Sequence, residues 1–154
     1  MRPRHALASG LVLVALSACS AEEKDGGEDD LGKDQQAVTV TATDSAFGEI
    51  LTDASGRTLY GFTKDKDGRS DCGSGCVAVW PALTTSSATK VGAGVREDLL
   101  RKTERAEGIH QVRYGEWPLY YFVGDTARGD MNGQGLDGEW FVVTVDGKLV
   151  KGQR

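Results

Sequence analysis

LYGFTKD at residues 59–65 returns as LYYFVGD at residues 119–125, an offset of 60. Residues 59–80 align on 119–140 without a gap. Leu59/Leu119, Tyr60/Tyr120, Phe62/Phe122, Asp65/Asp125, Gly73/Gly133, Gly75/Gly135 and Trp80/Trp140 are identical pairs. Seven identities in 22 positions, three of them aromatic, exceed what composition supplies and mark a duplicated unit. Within each unit the Tyr and Phe stand two apart, so on a strand both face the same side. The residue between them faces the other way and differs between copies, Gly61 against Tyr121. Asp65 and Asp125 come where the strand should end, and an Asp there can accept backbone N–H groups from the Gly-rich loop that follows. Trp80 and Trp140 close the units and can cover the aromatic face. Tyr60, Phe62, Asp65 and Trp80, with Tyr120, Phe122, Asp125 and Trp140, therefore read as a fastening that holds a loop on a sheet. Tyr114, Trp117 and Tyr121 lie outside the duplicated set and are the candidates for a surface that stacks on a flat or sugar-like ligand.

Working outward, Val38 to Thr43 alternates at period two and is β-branched, as a half-buried strand does. Phe47–Thr52 and Arg57–Phe62 flank Asp53-Ala54-Ser55-Gly56, whose Asp and Gly suit a hairpin turn. A second hairpin is expected at Leu99–Arg105 and Ile109–Tyr114, and a further strand at Leu119–Val123. Trp140–Val145, Asp146-Gly147 and Lys148–Val150 make a C-terminal hairpin, for which Asp-Gly is a strong local signal. Residues 84–96 are rich in Thr, Ser and Gly and read as a connecting loop, with one helical turn near Glu97–Leu100. The expectation is an all-β single domain over residues 37–154. About eight short antiparallel strands form two pseudo-symmetric hairpin-plus-loop repeats, near 46–83 and 107–145, that share a core.

Residues 1–18 have the basic start (Arg2, Arg4) and short apolar run of a signal peptide, and Leu16-Ser17-Ala18-Cys19 has the pattern of a lipobox. On that reading Cys19 becomes a lipidated N-terminus that holds the protein on a membrane. No other stretch is long and apolar enough to span a bilayer. Removing Arg2 and Arg4 leaves 16 basic residues against 23 acidic ones, a net charge of −7, which argues against nucleic acid as a partner. Residues 20–36 hold seven of the acids and no aromatic residue, so they cannot build a core and read as a tether. As a flexible coil they would reach roughly 20–25 Å.

Chemistry has few places to reside. Cys72 and Cys76 are an even pair in an oxidising compartment and read first as a disulfide, worth about 2 kcal/mol for so small a loop. Their counterparts are Asn132 and Leu136, so the second unit builds its Gly-rich loop without sulfur, which favours a staple over an active centre. The alternative is a copper or haem site, or an electron-transfer accessory, using His110 and Met131, the only histidine and methionine beyond residue 18. Acidic loops at 65–71 and 130–137 invite a calcium reading, but the second has Phe141 where an EF-hand needs a bidentate Glu. No nucleophile signature accompanies His110, so catalysis is not expected and no cofactor is assigned.

The doubled Tyr-x-(Phe/Trp/Tyr)-x-x-Asp after a lipobox, with Ser70-Asp71-Cys72, Cys76, Trp80-Pro81, Pro118-Leu119-Tyr120, Gly129-Asp130 and Gly133-Gln134-Gly135, resembles a family of bacterial lipoproteins described as a secreted repeat of unknown function. That family tends to have Pro-Pro after the first Trp, whereas Ala82 follows Pro81 here. The resemblance implies a cell-envelope lipoprotein without an agreed activity. The expected role is a non-enzymatic module at the outer face of the membrane, binding an envelope protein or a cell-wall partner.

Overall fold

The computed structural model describes residues 37–105 and 108–152; the signal peptide, Cys19 and the acidic tether expected from the sequence lie outside the described residues. Nine strands are found among the described residues, in an all-β arrangement. Strands β1 (Thr39–Ser45) and β2 (Gly48–Asp53) form the first hairpin, in the register Val40↔Asp53 to Ser45↔Gly48. Asp53 then turns the chain: its Oδ1 accepts N–H groups from Ser55 and Arg57, and Gly56 supplies a φ of +82° that other residues adopt only at a cost. The second hairpin is β6 (Leu100–Glu104) with β7 (His110–Tyr114), after a 3-10 turn at Glu97–Leu99. Strand β7 also pairs with β8 (Trp117–Pro118).

Two expectations are corrected here. Residues 84–96 are not a plain loop: Thr84–Thr85 form β4, which pairs with β7, and Lys90–Val91 form β5. Strand β5 runs parallel to β1, so the sheets are mainly but not wholly antiparallel. Strands of two residues leave no readable period, and a parallel partner leaves no turn signature nearby. A helical turn, α1 (Ser74–Val77), also lies inside the loop after the first motif.

The two repeats exchange strands. Strand β3 (Tyr60–Phe62) pairs not with its own repeat's closing segment but with β9 (Trp140–Val142), placing Tyr60 opposite Val142 and Phe62 opposite Trp140. In the mirror arrangement Tyr120 bridges to Ala82, and Val123 N–H donates to Val79 C=O as Thr63 N–H donates to Glu139 C=O. Tyr60 and Tyr120 meet in the middle, each N–H donating to the other's C=O at 2.9 and 3.0 Å. Equivalent residues bonding reciprocally define a local pseudo-twofold axis. Across it runs one ladder in the order Val150, Val142, Tyr60, Tyr120, Ala82.

Alternation along this ladder sorts the core into two layers rather than one shared mass. On one side lies a mainly aliphatic cluster, Tyr114 together with the matched pairs Val40 and Leu100, Leu51 and Val112, Leu59 and Leu119, and Val143 and Leu83. The other side is aromatic: Tyr60, Tyr120, Phe62, Trp80 and Trp140, with Cys72, Ile50, Val142 and Val150. Both layers draw on both repeats, so neither repeat encloses a core alone.

Candidate functional site

The duplicated motif builds one joint structure on the aromatic side. Tyr60 donates its hydroxyl hydrogen to Asp125 Oδ2 at 2.7 Å, and Tyr120 donates to Asp65 Oδ2 at 2.8 Å. Each pair therefore crosses between repeats. The other oxygen of each carboxylate holds its own loop, as the sequence suggested: Asp65 Oδ1 accepts Asp71 N–H at 2.7 Å and Asp125 Oδ1 accepts Asn132 N–H at 2.9 Å. Both tyrosines are fully buried, so an unanswered hydroxyl there would cost about 1–3 kcal/mol.

The stacked rings cross between the repeats in the same way, whereas the edge-on contacts stay within one repeat. Trp80 and Trp140 stack at 3.9 Å between centroids with planes 2° apart. Phe62 stacks on Trp140 at 4.2 Å, and Phe122 lies against Trp80 at 4.5 Å. Tyr60 meets Trp80 edge-on at 5.3 Å and Tyr120 meets Trp140 edge-on at 5.2 Å. Such pairs contribute about 0.5–1.5 kcal/mol each beyond burial. The shared glycines serve different ends. A Cβ on Gly133 would lie 2.7 Å from Trp80, whereas one on Gly73 would meet nothing within 4 Å.

Burial governs the electrostatics. It pushes the Asp65 carboxyl up to about 6 despite the Asp71 N–H, the Tyr120 hydroxyl and the Arg105 charge, which act the other way. It raises Asp125 as well, opposed by the Tyr60 hydroxyl and the Asn132 N–H. Burial and the facing carboxylates hold the Tyr60 hydroxyl well above its ordinary range; burial and Asp65 do the same for Tyr120.

The halves then diverge. Cys72 and Cys76 are joined as a disulfide with Cα atoms 5.3 Å apart, around α1 and against the aromatic layer. Leu136, the counterpart of Cys76, packs on the same layer in the other half. Arg105 has no signal in the sequence yet braces the first loop: its Nη1 donates to Ser70 Oγ and Gln111 Oε1 and its Nη2 to Cys72 C=O. Beside it runs an open groove of about 1060 Å³, whose walls include Arg69, Asp71, Lys102, Glu104 and Arg113.

The three candidate stacking residues do not share a surface. Tyr114 is fully buried, donating to Val145 C=O and accepting Arg96 N–H, which removes it from any ligand face. Trp117 is half-buried, with its Nε1–H on Gly147 C=O. Tyr121 reaches instead to Asp53 Oδ2 at 3.0 Å, with the Arg57 guanidinium 3.8 Å from its ring centre. His110 lies on β7 between Thr85 and Glu104, while Met131 packs against the aromatic layer. Among the described residues no three His, Cys, Asp or Glu side chains gather as a metal would require. In the acidic loops Asp130 Oδ2 accepts the N–H groups of Thr126 and Ala127. Nor does any described helix have the length and apolarity to cross a membrane.

A family model described as a secreted repeat of unknown function matches residues 38–84 and 102–144, one match on each repeat and together more than half of the chain. No curated protein and no solved structure matches.

Proposed function

The chain belongs to the family of secreted repeats of unknown function, and from that premise we propose that it is a non-enzymatic interaction module, tethered to the outer face of the cell membrane by a lipid on Cys19. The observation that carries the module reading is the crossed Tyr–Asp pairing. Both motif carboxylates and both motif hydroxyls are engaged with one another, and the remaining carboxylate oxygens are engaged with backbone. The duplicated signature is thus explained as a fastening, which leaves the outer surface for recognition. The lipobox at 16–19 and the acidic segment 20–36 support the anchor and a stand-off from the lipid. An envelope protein or a cell-wall component is the partner class that this address supplies.

Two measurements test the reading. Cys19→Ser should move the protein from the membrane fraction to the soluble one; a variant that stays on the membrane contradicts the anchor. Metal analysis of protein purified without chelators should find no stoichiometric copper or iron. A stoichiometric metal lost on His110→Ala would overturn the module reading in favour of a metal accessory.

A further inference from the structure

The central ladder ends differently on its two sides. At one end, the outward groups of Val142 and Thr144 are all answered. Val142 N–H donates to Gln134 Oε1 at 2.8 Å, and Val142 C=O accepts Val150 N–H at 3.2 Å. Thr144 N–H donates to Lys148 C=O, and Thr144 C=O accepts Gly147 N–H, both at 2.9 Å. The C-terminal segment Lys148–Val150 thereby seals this end, with Leu149 opposite Val143.

The counterparts at the other end, at an offset of 60, are Ala82 and Thr84. Tyr121 N–H donates to Pro81 C=O and Leu83 N–H to Leu119 C=O, while Leu83 C=O accepts Val112 N–H. That pattern turns the N–H and C=O of Ala82 and Thr84 away from the ladder, and β4 is the edge of its sheet. Among the described residues none of these four groups has a protein partner. Ser74 stands where Gln134 does, and after β4 the chain leaves for β5 instead of folding back.

From this asymmetry we infer that Ala82–Thr84 is a strand-addition site, which takes an extended segment of a partner protein in the register that Lys148–Val150 takes at the sealed end. The inference rests on the interaction-module reading and names its surface. The occupant is specified by the segment already seated on the equivalent edge. It runs antiparallel to Ala82–Thr84, donates an N–H to Ala82 C=O and accepts the Thr84 N–H. An exposed edge with unpaired backbone groups is the feature that such recognition uses. Its side-chain preference follows from Gly61 and Tyr121. At the sealed end Leu149 Cδ2 lies 2.7 Å from where a Cβ on Gly61 would stand, so Leu149 depends on that glycine. At the open end the equivalent residue is Tyr121. The partner residue opposite Leu83 is therefore smaller than leucine.

The test uses the full-length chain and a synthetic hexapeptide, Gly-Lys-Ala-Val-Lys-Gly, which copies residues 147–152 with alanine for Leu149. At millimolar peptide, amide exchange at Thr84 should slow by about tenfold or more, while exchange at Val142 and Thr144 stays as it was. Thr84→Pro removes an N–H that the fold does not use, and it should abolish peptide binding. So should N-methylation of the peptide valine, which cannot then donate to Ala82. The peptide with leucine restored should bind more weakly. No protection at Thr84, or equal binding by the N-methylated peptide, overturns the strand-addition site and leaves the module reading standing. Equal binding by the leucine peptide overturns the size preference. Protection of the Thr84 amide by self-association without peptide would assign the edge to a second copy and overturn the partner segment.

Discussion

Asp65 shows how one residue's chemistry reports on the fastening. Its folded pKa is raised from the ordinary 3.8 to about 6 because burial disfavours the ionised form. The folded chain therefore binds the proton more tightly than the unfolded chain, so this group's contribution to stability falls as pH rises from about 4 to about 6. Asp125 acts in the same direction. Denaturant melts between pH 4 and 7 should show stability declining through this window, and Asp65→Asn should flatten the decline. An unchanged slope in that variant would place the titration elsewhere. The role of Asp65 toward its loop was legible in the sequence, since an Asp at a strand end accepts from the backbone after it. Its tyrosine partner was not, because the nearest Tyr in sequence, Tyr60, serves the other carboxylate.

At the scale of the element, the two Gly-rich loops solve one problem with different means. The first is closed by the Cys72–Cys76 disulfide and braced by Arg105; the second relies on Leu136 and on Asn132, whose Nδ2 donates to Gly124 C=O. If the disulfide is a staple, replacing both cysteines with alanine should lower stability by about 2 kcal/mol. Reductant should lower the parent protein by a similar amount and leave the double variant unaffected. A parent protein indifferent to reductant would contradict the staple. The longer strands and the β6–β7 hairpin were readable, because alternation over five or more residues is a local signal, whereas the β1–β2 hairpin, which turns at 45–48 without an Asp-Gly pair, was not. Strands β4 and β5, two residues each, carry no such signal and form only because the rest of the fold presents an edge.

For the whole molecule, the decisive feature is that the repeats are interlocked. Alternation shows which face of a strand is apolar but not which strand lies beside it, so duplication was visible in the sequence and exchange was not. The exchange explains why both aromatic and aliphatic layers mix the two copies, and a chain cut between the repeats should yield halves that fold only when combined. Circular dichroism of residues 37–95 and 96–154, apart and mixed, checks this; a cooperative melt from either half alone would contradict it. The crossed pairing itself is tested most directly by a double-mutant cycle on stability. Tyr60→Phe combined with Asp125→Ala should show a coupling of about 1–3 kcal/mol, whereas Tyr60→Phe combined with Asp65→Ala, which share no partner, should add within about 0.5 kcal/mol. Coupling to Asp65 with additivity at Asp125 would mean that each repeat fastens itself, and the interlocked fold would be wrong.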